Sequence, residues 1–324
     1  MASPSQVAPS WLARLDEMAA DIIPSTYPIE TDTLGIIKKL LLAQGDDNAA
    51  VGEAVHEIRS FYTTKLFPPN DPFYRDLPDH GVSQVVGAVV DHVFELASAV
   101  PWKESAHKRL ADLLIALKEN ATTTGFDPAL GWESSNLEWH AAEIWRSYNP
   151  THTASQQECT EALRTHVLLA RLVAADLLPA DGPWRTAQCV SEGLNTNNNN
   201  NNNSGGGGGV GGSWEADTAL VRTCRAAIAA RYLVLAGRAL PRELRRAPGP
   251  DTEAVVRKAE WAAWAERLRR LASASSSSSP PAAAAGGSDG DDLVAVAEVP
   301  EEWDLKAGAA EAARQVEIWL SGQV

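Results

Sequence analysis

Apolar residues recur every three to four positions along most of this chain, the spacing that gathers them on one face of an α-helix. In WLARLDEMAADII, residues 11–23, the stripe is Trp11, Leu15, Met18 and Ile22, with Ser10 placed to cap the first turn. TLGIIKKLLLAQG continues the pattern and stops at Gly45. NAAVGEAVHEIRSFYTTKLF aligns Val51, Val55, Ile58 and Tyr62, and Pro68 with Pro69 ends it. VSQVVGAVVDHVFELASAV is apolar nearly all round, which predicts a helix deep in a core. Pro101 breaks that run, and KESAHKRLADLLIALKEN resumes the helical period.

Two reciprocal capping patterns mark further starts. Ser135 with Glu138 opens NLEWHAAEIWRSY, and Ser155 with Glu158 opens QQECTEALRTHVLLARLVAADLL. A helix is then expected from Trp214 to about Leu240 around AAIAARYLVLAGRAL. DTEAVVRKAEWAAWAERLRRLA follows the turn at APGP, and AGAAEAARQVEIWLSG closes the chain. LVAVAEV, residues 293–299, is the sole candidate strand. The pattern predicts an all-α fold of roughly nine to eleven helices, an irregular multi-helix bundle or a two-layer helical array. No repeat has a solenoid's fixed period.

Two tracts interrupt the helical pattern: residues 195–213, rich in Asn and Gly, and residues 273–292, rich in Ser, Pro, Ala and Gly. Their composition offers little apolar surface to offset ordering entropy, so both are expected to be disordered insertions. The glycines at 205–209 do not form a phosphate-binding loop, because no strand precedes them and no Lys follows. They read as padding between two helices of a single domain spanning 1–324; a linker between separate domains is the alternative.

With 324 residues and 44% hydrophobic content, the chain can bury a substantial core. Its formal charge of −14 is unevenly spread. From Trp214 to Ala272 there are twelve Lys and Arg against seven Asp and Glu, so that segment is net +5 and the remainder −19. Either the basic segment packs on the acidic remainder or it docks an acidic partner. The overall acidity works against nucleic acid and anionic membranes, so neither is expected as a partner. Cys159, Cys189 and Cys224 are odd in number and form no metal-binding or dithiol motif, which fits buried thiols in a reducing compartment. No secretory signal and no apolar run of membrane-spanning length is present, so a cytoplasmic or nuclear location is expected.

Candidate chemistry is sparse. Glu53 with His56 and Glu104 with His107 share the Glu-x-x-His spacing of di-iron bundles. On a helical wheel, however, Glu53 and His56 oppose the apolar stripe. His107 falls at the edge of its own stripe and Glu104 farther out, beside Lys103, Lys108 and Arg109, so solvated faces are expected. His140 and Glu143 share a face with Trp139, away from their helix's main stripe. Asp91, His92 and Glu95 interrupt an otherwise apolar helix and are the more suggestive set for a metal or acid/base pocket. P-loop, dinucleotide, zincin and esterase motifs are absent, and no cofactor is expected. Tryptophan is abundant, eleven against five Phe and five Tyr. Trp261 and Trp264 lie on one stripe with Ala265, Leu268 and Leu271, as core filling between helices or, if exposed, as a partner hot spot.

EWAAWAERLRRLA, a polar spacer and the closing AAEAARQVEIWL resemble the C-terminal end of a fungal family of uncharacterised all-helical proteins, known only as a domain of unknown function. IETDTLGIIKKLLLAQG and AVGEAVHEIRSFY are similar to that family's opening helices, so the resemblance runs from Ile29 to Gln323. It implies a helical fold and a fungal source, and it carries no activity and no functional residue. The function expected is a non-enzymatic intracellular module that binds another protein through a groove between helices. The alternative is a helix-bundle enzyme around Asp91, His92 and Glu95.

Overall fold

A computed structural model describes residues 9, 11–22, 28–66, 80–119, 143, 149–179, 182–194, 217–237, 258–273 and 299–321. Among them there are ten α-helices and no strands, so the chain is all-α. Two compact units divide it, residues 1–144 and residues 145–324. Several features read from the sequence lie outside the described residues: Ser10, Pro68 and Pro69, the box at Ser135 and Glu138, the tract 195–213, residues 274–292 of the second tract, and 293–298 of the candidate strand.

The first unit contains α1 (Trp11–Asp21), α2 (Pro28–Leu42), α3 (Asp47–Phe61), α4 (His80–Ala99) and α5 (Ser105–Glu119). Trp11, Leu15 and Met18 of α1 are buried, as their spacing requires; Ile22 lies past the helix end and is half-exposed. Asp46 caps α3 by accepting from the Asn48 N–H at 2.9 Å. A single π-helical turn, Tyr62–Leu66, extends α3. Gly45 takes φ +97° in the short turn between α2 and α3, a left-handed conformation that suits glycine. Helix α2 packs against α3, α4 and α5, and α1 lies on α4. The interior is mostly Val and Leu, including Val85, Val89, Val93, Leu110, Leu113 and Leu114, all fully buried.

The second unit contains α6 (Gln156–Ala174), α7 (Gly182–Leu194), α8 (Ala219–Leu235), α9 (Lys258–Ser273), a 3-10 turn (Glu301–Trp303) and α10 (Leu305–Leu320). The capping box foreseen at α6 is formed on both sides: the Glu158 N–H donates to Ser155 Oγ and the Ser155 N–H to Glu158 Oε2. Helix α8 starts at Ala219 rather than Trp214. Thr218 is its N-cap, accepting from the Val221 N–H, which leaves Asp217 outside the helix.

Helix α7 has no counterpart among the helices read from the sequence. Its buried face is Gly182, Thr186, Ala187, Val190, Gly193 and Leu194, too small and too polar to show as an apolar stripe. It lies against α8 so closely that a Cβ on Gly193 would overlap the Arg225 carbonyl oxygen and sit 2.8 Å from Ala229 Cβ. Gly193→Ala is therefore expected to lower the stability of this unit by about 2 kcal/mol, read as a shift in urea midpoint.

Helix α8 is the hub, packing on α6, α7 and α10, while α9 and α10 form the most extensive helix pair of the unit. Arg231 of α8 is buried and its Nη2 donates to the Trp303 and Asp304 carbonyl oxygens and to Asp304 Oδ2, at 3.1–3.2 Å. Gly308 makes room for that guanidinium, since a Cβ there would stand 2.9 Å from it. Arg164 grips Glu302 through two parallel bonds of 2.6 and 2.7 Å.

Candidate functional site

The structure gives the titratable residues singled out by sequence very different places. Glu53 and His56 are both exposed on α3. Glu104 is exposed and accepts from Trp11 Nε1 at 2.9 Å. His107 is a correction: it is fully buried rather than at the solvated edge of α5. It precedes Leu110 by three residues and Leu114 by seven, so it belongs to the apolar stripe itself. Arg109 is a second correction. It is buried, and its guanidinium donates to Asp47 Oδ1 at 2.6 Å, to the Ala43 carbonyl at 2.6 Å and to the Leu40 carbonyl at 3.2 Å. One side chain of α5 thus closes the C-terminal end of α2 and holds the first turn of α3.

Asp91, His92 and Glu95 share α4 but not a pocket. Asp91 is exposed. The Glu95 carboxylate accepts from Arg14 Nη2 at 2.5 Å, at the unit's surface. His92 is buried, and its Nε2 lies 3.0 Å from the Glu30 carbonyl oxygen, to which it donates. Burial pulls the His92 pKa below its ordinary value, although the Glu30 carbonyl and the charges of Glu95, Asp91 and Glu30 pull the other way. The ring is therefore a neutral tie between α4 and α2.

This has a consequence for pH. Above the ordinary His value of 6.5 the ring is neutral in both folded and unfolded chains, and its tie is fully present. Below that value the unfolded chain takes up the proton first, so stability falls as pH drops from 6.5 through the lower folded pKa. Urea midpoints measured from pH 7.5 down to 5.5 should decline, and His92→Gln should flatten the decline.

Of the set at His140 and Glu143, only Glu143 is described, and it is exposed; Trp139 and His140 lie outside the described residues. Among the described residues no three His, Cys, Asp or Glu side chains gather where they could hold a metal ion. No helix among them is long and apolar enough to cross a membrane.

Among the described arginines of the basic segment, Arg231 and Arg267 are buried, Arg222 and Arg225 are half-buried, and Arg269 and Arg270 are exposed. Arg222 Nη1 donates to the Asp217 carbonyl at 2.6 Å, and Arg225 reaches Asp217 Oδ2 and the Pro150 carbonyl, both at 3.1 Å. His152 Nδ1 meets Asp217 Oδ1 at 2.5 Å. Arg267 Nη1 donates to the Leu194 carbonyl at the end of α7, and Arg269 pairs with Glu266 and Glu317. Four of these arginines, with Arg231, act as helix ties whose acceptors include acids from the C-terminal helix region.

The tryptophans divide into two groups. Trp264 is 2% exposed and Trp303 is fully buried, with Nε1 donating to Thr160 Oγ1 at 2.9 Å. Trp261 is half-buried, edge-to-face with Trp264 (centroids 5.0 Å, 70°) and with Trp319 (5.2 Å, 84°). The Trp261–Trp264 pair is thus part of an aromatic seam between α9 and α10. Trp319 in turn packs on Gly237, where a Cβ would overlap its ring.

Trp184 of α7 behaves otherwise. It is 47% exposed, and the Arg185 guanidinium carbon lies 4.7 Å from its ring centroid. Neither this residue nor its helix is marked by the chain's hydrophobic period.

A family model described as "Protein of unknown function (DUF3632)" matches residues 91–268. The chain belongs to this family. No curated protein and no solved structure matches. The DUF3632 match begins in α4 at Asp91 and ends in α9 at Leu268, so it takes in Trp184, the arginine ties of α8 and the Trp261–Trp264 pair. The opening helices and the closing AAEAARQVEIWL, on which the resemblance also rested, lie outside the matched span.

Proposed function

We propose that this DUF3632 protein is a non-enzymatic, intracellular protein-interaction module whose contact surface is the outer face of α7 around Trp184. The observation that carries the reading is the exposure of Trp184 with Arg185 stacked on its ring. Tryptophan and arginine are the residue types most enriched at binding hot spots, where a rigid aromatic supplies much contact area at low entropic cost. The preformed stack holds the indole in place before any partner arrives.

Charge supports a protein partner over a nucleic acid: the chain carries −14 overall, and Arg222, Arg225, Arg231, Arg267 and Arg269 are engaged in internal ties. The enzyme reading needs Asp91, His92 and Glu95 to converge, and the geometry gives it no support, since His92 faces a carbonyl of α2 and Glu95 faces Arg14. Free, buried Cys159 and Cys224 are in keeping with a cytoplasmic or nuclear setting.

The test is quantitative affinity capture with the wild-type chain and Trp184→Ala side by side, after circular dichroism has shown equal helicity. A partner recovered by the wild type should drop by about thirtyfold with the variant, the size of a hot-spot loss. Equal recovery of every partner by both chains would overturn the assignment.

A further inference from the structure

Cys159 and Cys224, 65 residues apart in sequence, meet where α6 crosses α8. Cys224 Sγ donates to the Cys159 carbonyl oxygen at 3.3 Å, which sets one sulfur against the backbone of the residue that carries the other. Both are fully buried and both are reduced. Neither is needed by the proposed contact surface on α7. A disulfide requires its sulfurs at about 2.05 Å and its Cα atoms within roughly 4.4–6.8 Å, and the Cys224 sulfur, already against the Cys159 backbone where the two helices pack, is placed to approach that geometry by side-chain rotation.

Their environments differ in a way that assigns roles. The Cys224 side chain beside it, with the nearby Arg225 charge, holds the Cys159 thiol below its ordinary value against the opposing effect of burial. Burial, foremost, pushes the Cys224 thiol up. Cys159 is therefore the first to ionise, and the thiolate is the reacting form. It also sits in the opening turn of α6, where Gln156, Gln157 and Glu158 are exposed, so a transient opening of that one turn, with its capping box released, would admit a small oxidant. Cys189 is different: burial pushes its thiol up to about 12, and its polar neighbour is Tyr232, not a thiol.

We propose that Cys159 and Cys224 form a reversible dithiol switch, closed to an intramolecular disulfide by a hydroperoxide and reopened by a dithiol reductant. The Cys159 thiolate attacks the peroxide O–O bond, giving a sulfenic acid and releasing water or the corresponding alcohol. Cys224 sulfur then attacks Cys159 sulfur; the S–S bond forms, the S–O bond breaks, and the departing hydroxide leaves as water with the Cys224 proton. The two thiols lose two electrons and the peroxide gains them. The bond staples α6 to the hub helix α8 and closes a loop that contains α7 and the tract 195–213.

The full-length reduced protein is treated with graded hydrogen peroxide, its remaining thiols are alkylated after unfolding, and the digest is read by mass spectrometry. The expected product is a monomer lighter by two hydrogens, with a linked Cys159–Cys224 peptide that dithiothreitol separates. Its melting midpoint should rise by about 5–10 °C, because a long loop has been closed in the unfolded chain. Cys189→Ser should form the link unchanged, whereas Cys159→Ser should form none. If Cys159→Ser does not fold, Cys189→Ser still decides, since its only intramolecular link is the proposed one. Three alkylatable thiols after peroxide, a link through Cys189, or over-oxidation of Cys159 without a link would each overturn the proposal.

Discussion

Arg109→Ala is expected to cost the first unit about 3 kcal/mol, although the residue sits in a stretch that reads as a charged surface. The guanidinium is buried and serves three acceptors on two other elements: the Leu40 and Ala43 carbonyls at the end of α2 and the Asp47 carboxylate at the start of α3. Alanine would leave two carbonyl groups and an ionised carboxylate facing a void. Asp47 is partly open to water and can be rehydrated, which keeps the expected loss at the lower end of the range for a broken buried pair. Arg109→Lys should recover only part of it, because a single ammonium cannot reproduce a planar fork spread over three acceptors. Lys108→Ala, one position away, should move stability by no more than about 0.5 kcal/mol, since the lysine is exposed and its partner Asp112 is an i,i+4 neighbour at the surface of the same helix, only half-buried. Urea unfolding followed by circular dichroism checks the set. Hydrogen exchange should place the loosening in α2, α3 and α5.

The second unit depends as heavily on Trp303. Trp303→Ala is expected to cost about 4 kcal/mol, the range for removing a large buried aromatic. The side chain is fully buried, its Nε1 donates to Thr160 Oγ1 of α6, and its carbonyl accepts from Arg231 of α8. Truncation would open a cavity and strip Thr160 of a partner together. Trp303→Phe keeps most of the volume and loses the Nε1 bond, so a loss near 1 kcal/mol is expected, separating packing from hydrogen bonding. A chain in which alanine and phenylalanine cost the same would show that the indole's bulk is not what holds the 3-10 turn in place.

These two residues also show what the sequence could and could not reveal. Helices with long, strongly apolar stripes were legible: Trp11, Leu15 and Met18 in α1, or Val51, Val55 and Ile58 in α3, occupy the interior that their spacing requires. The Ser155–Glu158 box was legible because both of its partners lie within one turn. Helix α7 was not, because it is held by the close approach of Gly193 to α8, and closeness leaves no hydrophobic period. Arg109 and Arg231 were not, because their acceptors are backbone carbonyls more than sixty residues away, and a carbonyl has no signature in a sequence. His107 was nearly legible; its chemistry suggested water while its register placed it in the core. Trp184 carries no mark in the sequence that separates it from Trp11, Trp264 and Trp303, which are buried while it is exposed.

The clasp of Arg267 on the Leu194 carbonyl bears on the tract that follows at once in the sequence. Helix α7 is finished off from another helix at its last residue, and α8 is begun afresh by the Thr218 side chain. Both flanks are anchored before and after the asparagines and glycines, so the number of those residues is free to drift. Doubling the length of a flexible connection costs only about 0.6 kcal/mol. A microsatellite-like expansion or contraction at this point would be nearly silent for the helices around it.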